Sequence, residues 1–123
     1  MPRKLVEKPH ANNTWSRARF FSFIRSNLRL LSRKWPPLHA AKLDARRDSQ
    51  SANKRLKYEY QCAQCKEWFA GKYVQVDHIV ACGSLKCWED LTPFVQRLLC
   101  EKEGFRVLCV ECHKKRTNND RLR

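Results

Sequence analysis

Two identical spacings, "CAQC" at Cys62 and Cys65 and "CVEC" at Cys109 and Cys112, constrain this chain more than any other feature. A C-x-x-C turn presents both thiols to one side, and two such turns make the closed tetrahedral shell that a structural zinc ion takes. Forty-three residues separate the turns, more than a compact zinc ribbon holds, so a substantial element must loop out between them. Free thiols, or a redox pair in one knuckle, are the competing reading, but a redox C-x-x-C belongs in a thioredoxin-like βαβ context that this sequence lacks. Cys82, Cys87 and Cys100 do not repeat the spacing and read as small buried hydrophobes or incidental thiols. Seven cysteines, an odd number, follow "MPRKLVEKPH", which has no secretory apolar stretch. They suit an intracellular chain rather than a disulfide framework.

A chain of 123 residues is most simply one small domain with an extended arm, and its modest core would profit from a metal. The formal charge of +14 asks for a polyanionic partner, nucleic acid first and an acidic membrane surface second. Residues 1–57 carry 15 Lys/Arg against 3 Asp/Glu, whereas residues 58–123 carry 11 against 9 and hold every cysteine. The expected organisation is therefore a basic helical arm over 1–57 and a compact module over 58–123. Arginines interrupt every apolar run before it reaches the length of a membrane span.

Within the arm, "TWSRARFFSFIRSNLRLLSRKWPP" predicts a helix from about Thr14 to Lys34, capped by Asn13 or Thr14 and ended by Pro36-Pro37. At helical spacing Phe20, Phe21, Ile24, Leu28, Leu31 and Trp35 share one face. Arg25, Arg29 and Arg33 stripe the other, placed to meet phosphates. An ordinary solvated charged face, an organellar transit peptide and a membrane-surface helix are the alternatives. A second helix is expected from about Leu38 to Arg47. Lys54, Arg55 and Lys57 follow as further candidates for backbone contacts. In the module, Thr92 as cap and Pro93 at the first position open a helix running to about Glu101. Leu91, Phe94, Leu98 and Leu99 are expected in the core, as are Trp68, Phe69 and Trp88; His10 and His39 are expected at the surface.

The stretch "YVQVDHIVACGS" sets Asp77 beside His78 at the end of an alternating apolar run, and His113 directly follows Cys112. Together, "VDHI" and "VLCVECHKKRT" between paired knuckles resemble the zinc-knuckle HNH endonucleases over about residues 58–118. The tryptophan-containing basic arm is similar to that of small bacteriophage-encoded members. The resemblance implies an α+β fold: a ββα-metal module held by a four-cysteine zinc site behind a basic α-helical arm. It implies a DNA endonuclease in which Asp77 and His113 bind one catalytic divalent ion (Mg2+, Mn2+, Ni2+ or Zn2+) and His78 is the general base. An imidazole, with an ordinary pKa of about 6.5, suits that role. Cys62, Cys65, Cys109 and Cys112 would hold the structural Zn2+.

Lys114, Lys115 and Arg116 would contact the DNA backbone, and Thr117 reads as a surface residue on the same helix face as His113. The family's middle asparagine, which braces the loop carrying the base, falls at Gly104 in this chain. By analogy the partners would be DNA and phage packaging or recombination proteins in a host bacterial cytoplasm, with no membrane. The rival is a non-catalytic, zinc-stabilised nucleic-acid-binding module serving as an accessory factor in phage DNA processing. Asp77, His78 and His113 are the residues that separate the two.

Overall fold

The structure, a computed structural model, describes residues 5–121. It is mixed α+β, and its residues gather into two compact units that interleave along the chain. One holds the residues up to Lys34 together with Ala81–Leu99, and the other holds Trp35–Val80 and the chain from Cys100 onward. The boundary expected at residue 57 is thus replaced by a break at Lys34, because residues 35–57 form a helix and a strand of the second unit.

In the first unit, helix α1 (Arg17–Ser32) begins later than the expected Thr14. Ala11, Asn12 and Asn13 all have left-handed φ values, 54°, 54° and 62°. They fold the chain back so that the Thr14 and Trp15 N–H groups donate to the His10 carbonyl. Asn13 and Thr14 therefore belong to this turn, and the cap is Ser16, whose hydroxyl accepts from the Arg19 N–H at 3.2 Å. Phe21 is buried, and Phe20, Ile24 and Leu28 pack beside it against Cys82, Leu85, Phe94 and Leu98. Each such fully buried side chain contributes about 1.5–3 kcal/mol of transfer free energy. Leu31, one turn past Leu28, lies off this core and is 47 % exposed.

Helix α3 (Leu91–Leu98) supplies the facing side chains. A single 3-10 turn, Trp88–Asp90, leads into it, so the helix starts before Thr92 and Asp90 takes the cap position. Pro93 falls inside the first turn, where an absent N–H costs nothing. Two further expectations are corrected here. Trp88 is 55 % exposed, with its ring edge-on to Phe20 and Phe21. His10 is half-buried and stacks on Phe20, ring centroids 3.9 Å apart and planes within 7°.

In the second unit, Pro36 and Pro37 end α1's run but also open helix α2 (Pro36–Asp44) at its first two positions, where a fixed φ is already helical. The expected continuation to Arg47 fails because Arg46 and Arg47 enter strand β1 (Arg46–Asp48) instead. The cross-strand rings favour that choice: the Arg46 guanidinium lies over Tyr58 at 4.1 Å and that of Arg47 over Trp68 at 3.8 Å. Strand β2 (Tyr58–Gln61) is the centre of a three-stranded antiparallel sheet, flanked by β1 and by β3 (Trp68–Phe69).

Strand β4 (Val74–His78) pairs antiparallel with β5 (Phe105–Cys109) in the register Val74↔Cys109 through His78↔Phe105. Helix α4 (Val110–Arg121) follows β5 without an intervening residue. Val74, Phe105, Val107, Leu108 and Cys109 are buried, which ties the hairpin to the rest of the unit. Among the described residues no helix is long and apolar enough to cross a membrane.

Candidate metal centre

The two knuckles meet. One ligand atom from each of Cys62, Cys65, Cys109 and Cys112 lies within 4.8 Å of all the others, and the Cys65 and Cys109 sulfurs are 4.0 Å apart. Four Zn–S bonds of about 2.3 Å in a tetrahedron set the sulfurs about 3.8 Å apart, so the donor set fits zinc in number, chemistry and span. It is the one group of three or more potential ligands among the described residues.

Local hydrogen bonds hold it. The Cys62 N–H donates to the Glu67 carbonyl and the Lys66 N–H to the Cys62 carbonyl, both at 3.0 Å. Lys66 takes a left-handed φ of 64° to close that turn. The Ala63 N–H donates to Val107 of β5 at 2.8 Å, which joins the first knuckle to the strand carrying the second. Burial raises the Cys62 thiol, but the backbone N–H groups of Cys109, Cys65 and Gln64 outweigh it and bring it down to about 6. The hydrogen bond to Cys109, then burial, and then Cys62 push Cys112 up to about 12. Crowded sulfurs that resist carrying charge together are what a dication relieves.

The second candidate centre lies at the far end of the β4–β5 hairpin. Asp77 and His78 close β4, both half-buried. His78 sits against the Phe105 ring at 4.7 Å between centroids. Arg116 of α4 reaches this end: Nη1 donates to Asp77 Oδ2 at 2.5 Å and also to the His78 carbonyl, and Nη2 donates to the Ile79 carbonyl at 2.7 Å. His113 lies three residues before Arg116, so it shares the helix face that meets Asp77. Thr117 is half-buried, and its hydroxyl donates back to the His113 carbonyl at 3.0 Å. Arg106 is the cross-strand partner of Asp77, and its buried Nε has no hydrogen-bond partner among the described residues.

Arg116 is therefore not the exposed phosphate contact that its place in "HKKRT" suggests. Its guanidinium is engaged by one carboxylate and two carbonyls, a fork whose planar donors match that geometry. Gly104 has its own constraint. A Cβ there would lie 2.5 Å from Cys100 Sγ and 3.1 Å from Cys100 Cβ, so an asparagine fits only if Cys100 turns aside. The Gly104 carbonyl accepts from the Ile79 N–H at 2.9 Å. The segment after His78 is thus held from the backbone at Gly104 and from the side chain of Arg116.

The remaining basic candidates divide. Lys114 and Lys115 are exposed on α4, and Lys54, Arg55 and Lys57 are exposed in the turn between β1 and β2. Arg29 and Arg33 are exposed at the end of α1, but Arg25 is half-buried. Its guanidinium lies 5.9 Å from the Phe94 ring centre, on the packed side of the helix rather than opposite it. Comparison with protein-family models, with curated proteins and with solved structures gave no match.

Proposed function

We propose that this protein is a metal-dependent DNA endonuclease of the HNH, ββα-metal type. The observation that carries the reading is the order strand–strand–helix with Asp77-His78 closing β4 and His113 on α4, one residue beyond a cysteine of the four-sulfur cluster. A structural zinc at that cluster would fix the root of α4 against β5, and with it the backbone position of His113.

Asp77 and His113 would bind the catalytic divalent ion. Arg116 engages Asp77 at Oδ2, and the other carboxylate oxygen has lone pairs of its own. When bound, such an ion supplies Lewis-acid stabilisation of the charge on the leaving oxygen. His78 takes a proton from the attacking water. The new bond joins that water oxygen to phosphorus while the phosphorus–oxygen bond to the leaving alcohol breaks. Arg116 holds the backbone carbonyls of His78 and Ile79, and Phe105 flanks the ring, so the base has a defined position. Lys114 and Lys115, with Arg29, Arg33, Lys54, Arg55 and Lys57, supply the phosphate contacts.

One observation favours a second reading, a zinc-stabilised nucleic-acid-binding module without catalysis: Asp77 already has a cationic partner in Arg116. Plasmid cleavage across Mg2+, Mn2+, Ni2+ and Zn2+, comparing the parent with His78→Ala, separates them. The endonuclease cuts with a clear metal dependence, and His78→Ala loses about 10²–10⁴ in rate while binding DNA as before. Cutting by His78→Ala at the parent's rate ends the base assignment. Tight binding with no cleavage in any metal establishes the binding module.

A further inference from the structure

The first unit contains a cavity of about 610 Å³ that neither candidate centre uses. It is lined by Ala18, Phe21 and Leu85, of which the buried Phe21 and Leu85 form an apolar floor, and by Arg17, Arg25 and Lys86. No carboxylate lines it. None of those three cations forms an ion pair within 4.0 Å among the described residues; Arg17 and Arg25 rest instead near the faces of Phe21 and Phe94. Glu89 and Asp90 are the acids within electrostatic reach. Both carboxyls are held below the ordinary range, first by backbone N–H donors and then in part by Arg17 and Lys86 respectively.

The volume is that of a small-molecule site. Its composition combines two demands seldom met by one ligand: negative charge for three cations and an apolar or aromatic body for the floor. A nucleotide meets both. The surrounding residues, 5–34 and 81–99, carry nine Lys/Arg against three Asp/Glu, a charge that draws a polyanionic strand toward the cavity. A membrane surface fits less well, because a concave, walled space does not receive a flat interface.

We infer that this cavity seats one nucleotide of a nucleic-acid strand, its phosphate against Arg17, Arg25 and Lys86 and its base or sugar over Phe21 and Leu85. The nucleic-acid ligand rests on the proposed function; the seat itself is a property of the first unit. An unstacked nucleotide enters where a stacked one does not, so a single strand or a locally opened duplex is the form that fits.

Binding of a fluorescent 12-nucleotide single strand and of its duplex, measured against salt with protein carrying one equivalent of zinc and no free divalent ion in the buffer, tests the inference apart from cleavage. Arg17→Gln with Lys86→Gln removes two rim charges. Single-strand affinity is expected to fall at least tenfold, with the salt slope reduced by about one to two. Ala18→Trp, from an exposed position on α1, fills the space without changing charge. It is expected to lower single-strand affinity at least fivefold with the slope unchanged. Lys8→Gln with Lys34→Gln is the charge-matched control away from the cavity, expected to cost less than threefold.

Equal losses from the two double variants, or no loss from Ala18→Trp while near-ultraviolet circular dichroism shows a native fold, would overturn the nucleotide seat and leave the endonuclease reading standing. Absence of any oligonucleotide binding by the parent would remove both. A preference of the parent for anionic lipid vesicles over either oligonucleotide also rejects the inference.

Discussion

The four-cysteine cluster and the end of β4 are built from the same hairpin and the same helix, yet different things hold them in place. At the cluster, four sulfurs converge on one another, and two of the four cysteines, Cys62 and Cys109, are buried. At the end of β4 a protein cation is already present, because Arg116 binds Asp77 and two carbonyls. A knuckle fixes its ligands through local chain geometry, so two knuckles need only one long-range meeting. A site assembled from single residues on separate elements is open to any neighbouring side chain that offers the same charge.

The largest effect is therefore expected at the sulfurs. Elemental analysis of the purified chain should show one zinc per molecule. Cys62→Ser and Cys109→Ser should each lose the metal and the cooperative melting of β5 and α4, since structural zinc contributes about 10–16 kcal/mol of apparent binding free energy in small domains. Cys82→Ser should keep its zinc, because Cys82 is a buried member of the other unit's core. A metal-free parent that melts cooperatively would break the comparison outright, since both centres would then rest on packing alone.

Replacing Arg116 sharpens it. Arg116→Met keeps the stem and removes the fork, leaving the His78 and Ile79 carbonyls and the Asp77 carboxylate to water. A stability loss of about 1.5–3 kcal/mol is expected for charged hydrogen bonds at a partly buried position. If the guanidinium stands where a metal ion would, Mn2+ should bind Arg116→Met more tightly than the parent, with a lower cleavage rate because His78 is less well held. Titration calorimetry and plasmid nicking read the two effects separately. Unchanged Mn2+ affinity would make Arg116 a brace and nothing more.

Legibility followed the same division. The cluster was readable because C-x-x-C is a local pattern, and α1 was readable from its apolar periodicity and the prolines that end it. Its start was not, because three consecutive left-handed residues before Thr14 leave no periodic trace. Arg46 and Arg47 joined a strand rather than a helix because Tyr58 and Trp68, distant in sequence, offered ring faces to their guanidiniums. Arg116 looked like one more basic residue in a run, and only the fold shows which of three cations turns inward.

Residues 81–99 fall between the two strands of the hairpin, and no periodicity says that they gather with α1. Gly104 is a gentler case, explained by one neighbour. Gly104→Asn should cost about 1–3 kcal/mol through overpacking against Cys100, and Cys100→Ala should recover part of it, measured as a double-mutant cycle of urea midpoints. Independent costs would mean that the asparagine is excluded for some reason other than that sulfur.

The smallest expected effect distinguishes the two units. Ser16 caps α1 through the Arg19 N–H and belongs to the unit that does not hold the cysteine cluster. Ser16→Ala should destabilise by about 1 kcal/mol, the usual cost of losing a side-chain cap. If the units unfold independently, amide exchange should quicken by about fivefold in α1 and α3 and stay unchanged in β5 and α4, with the zinc still bound. Equal acceleration in both regions would show a single cooperative unit, in which the cap of a basic helix and the sulfurs of a metal cluster share one folding transition.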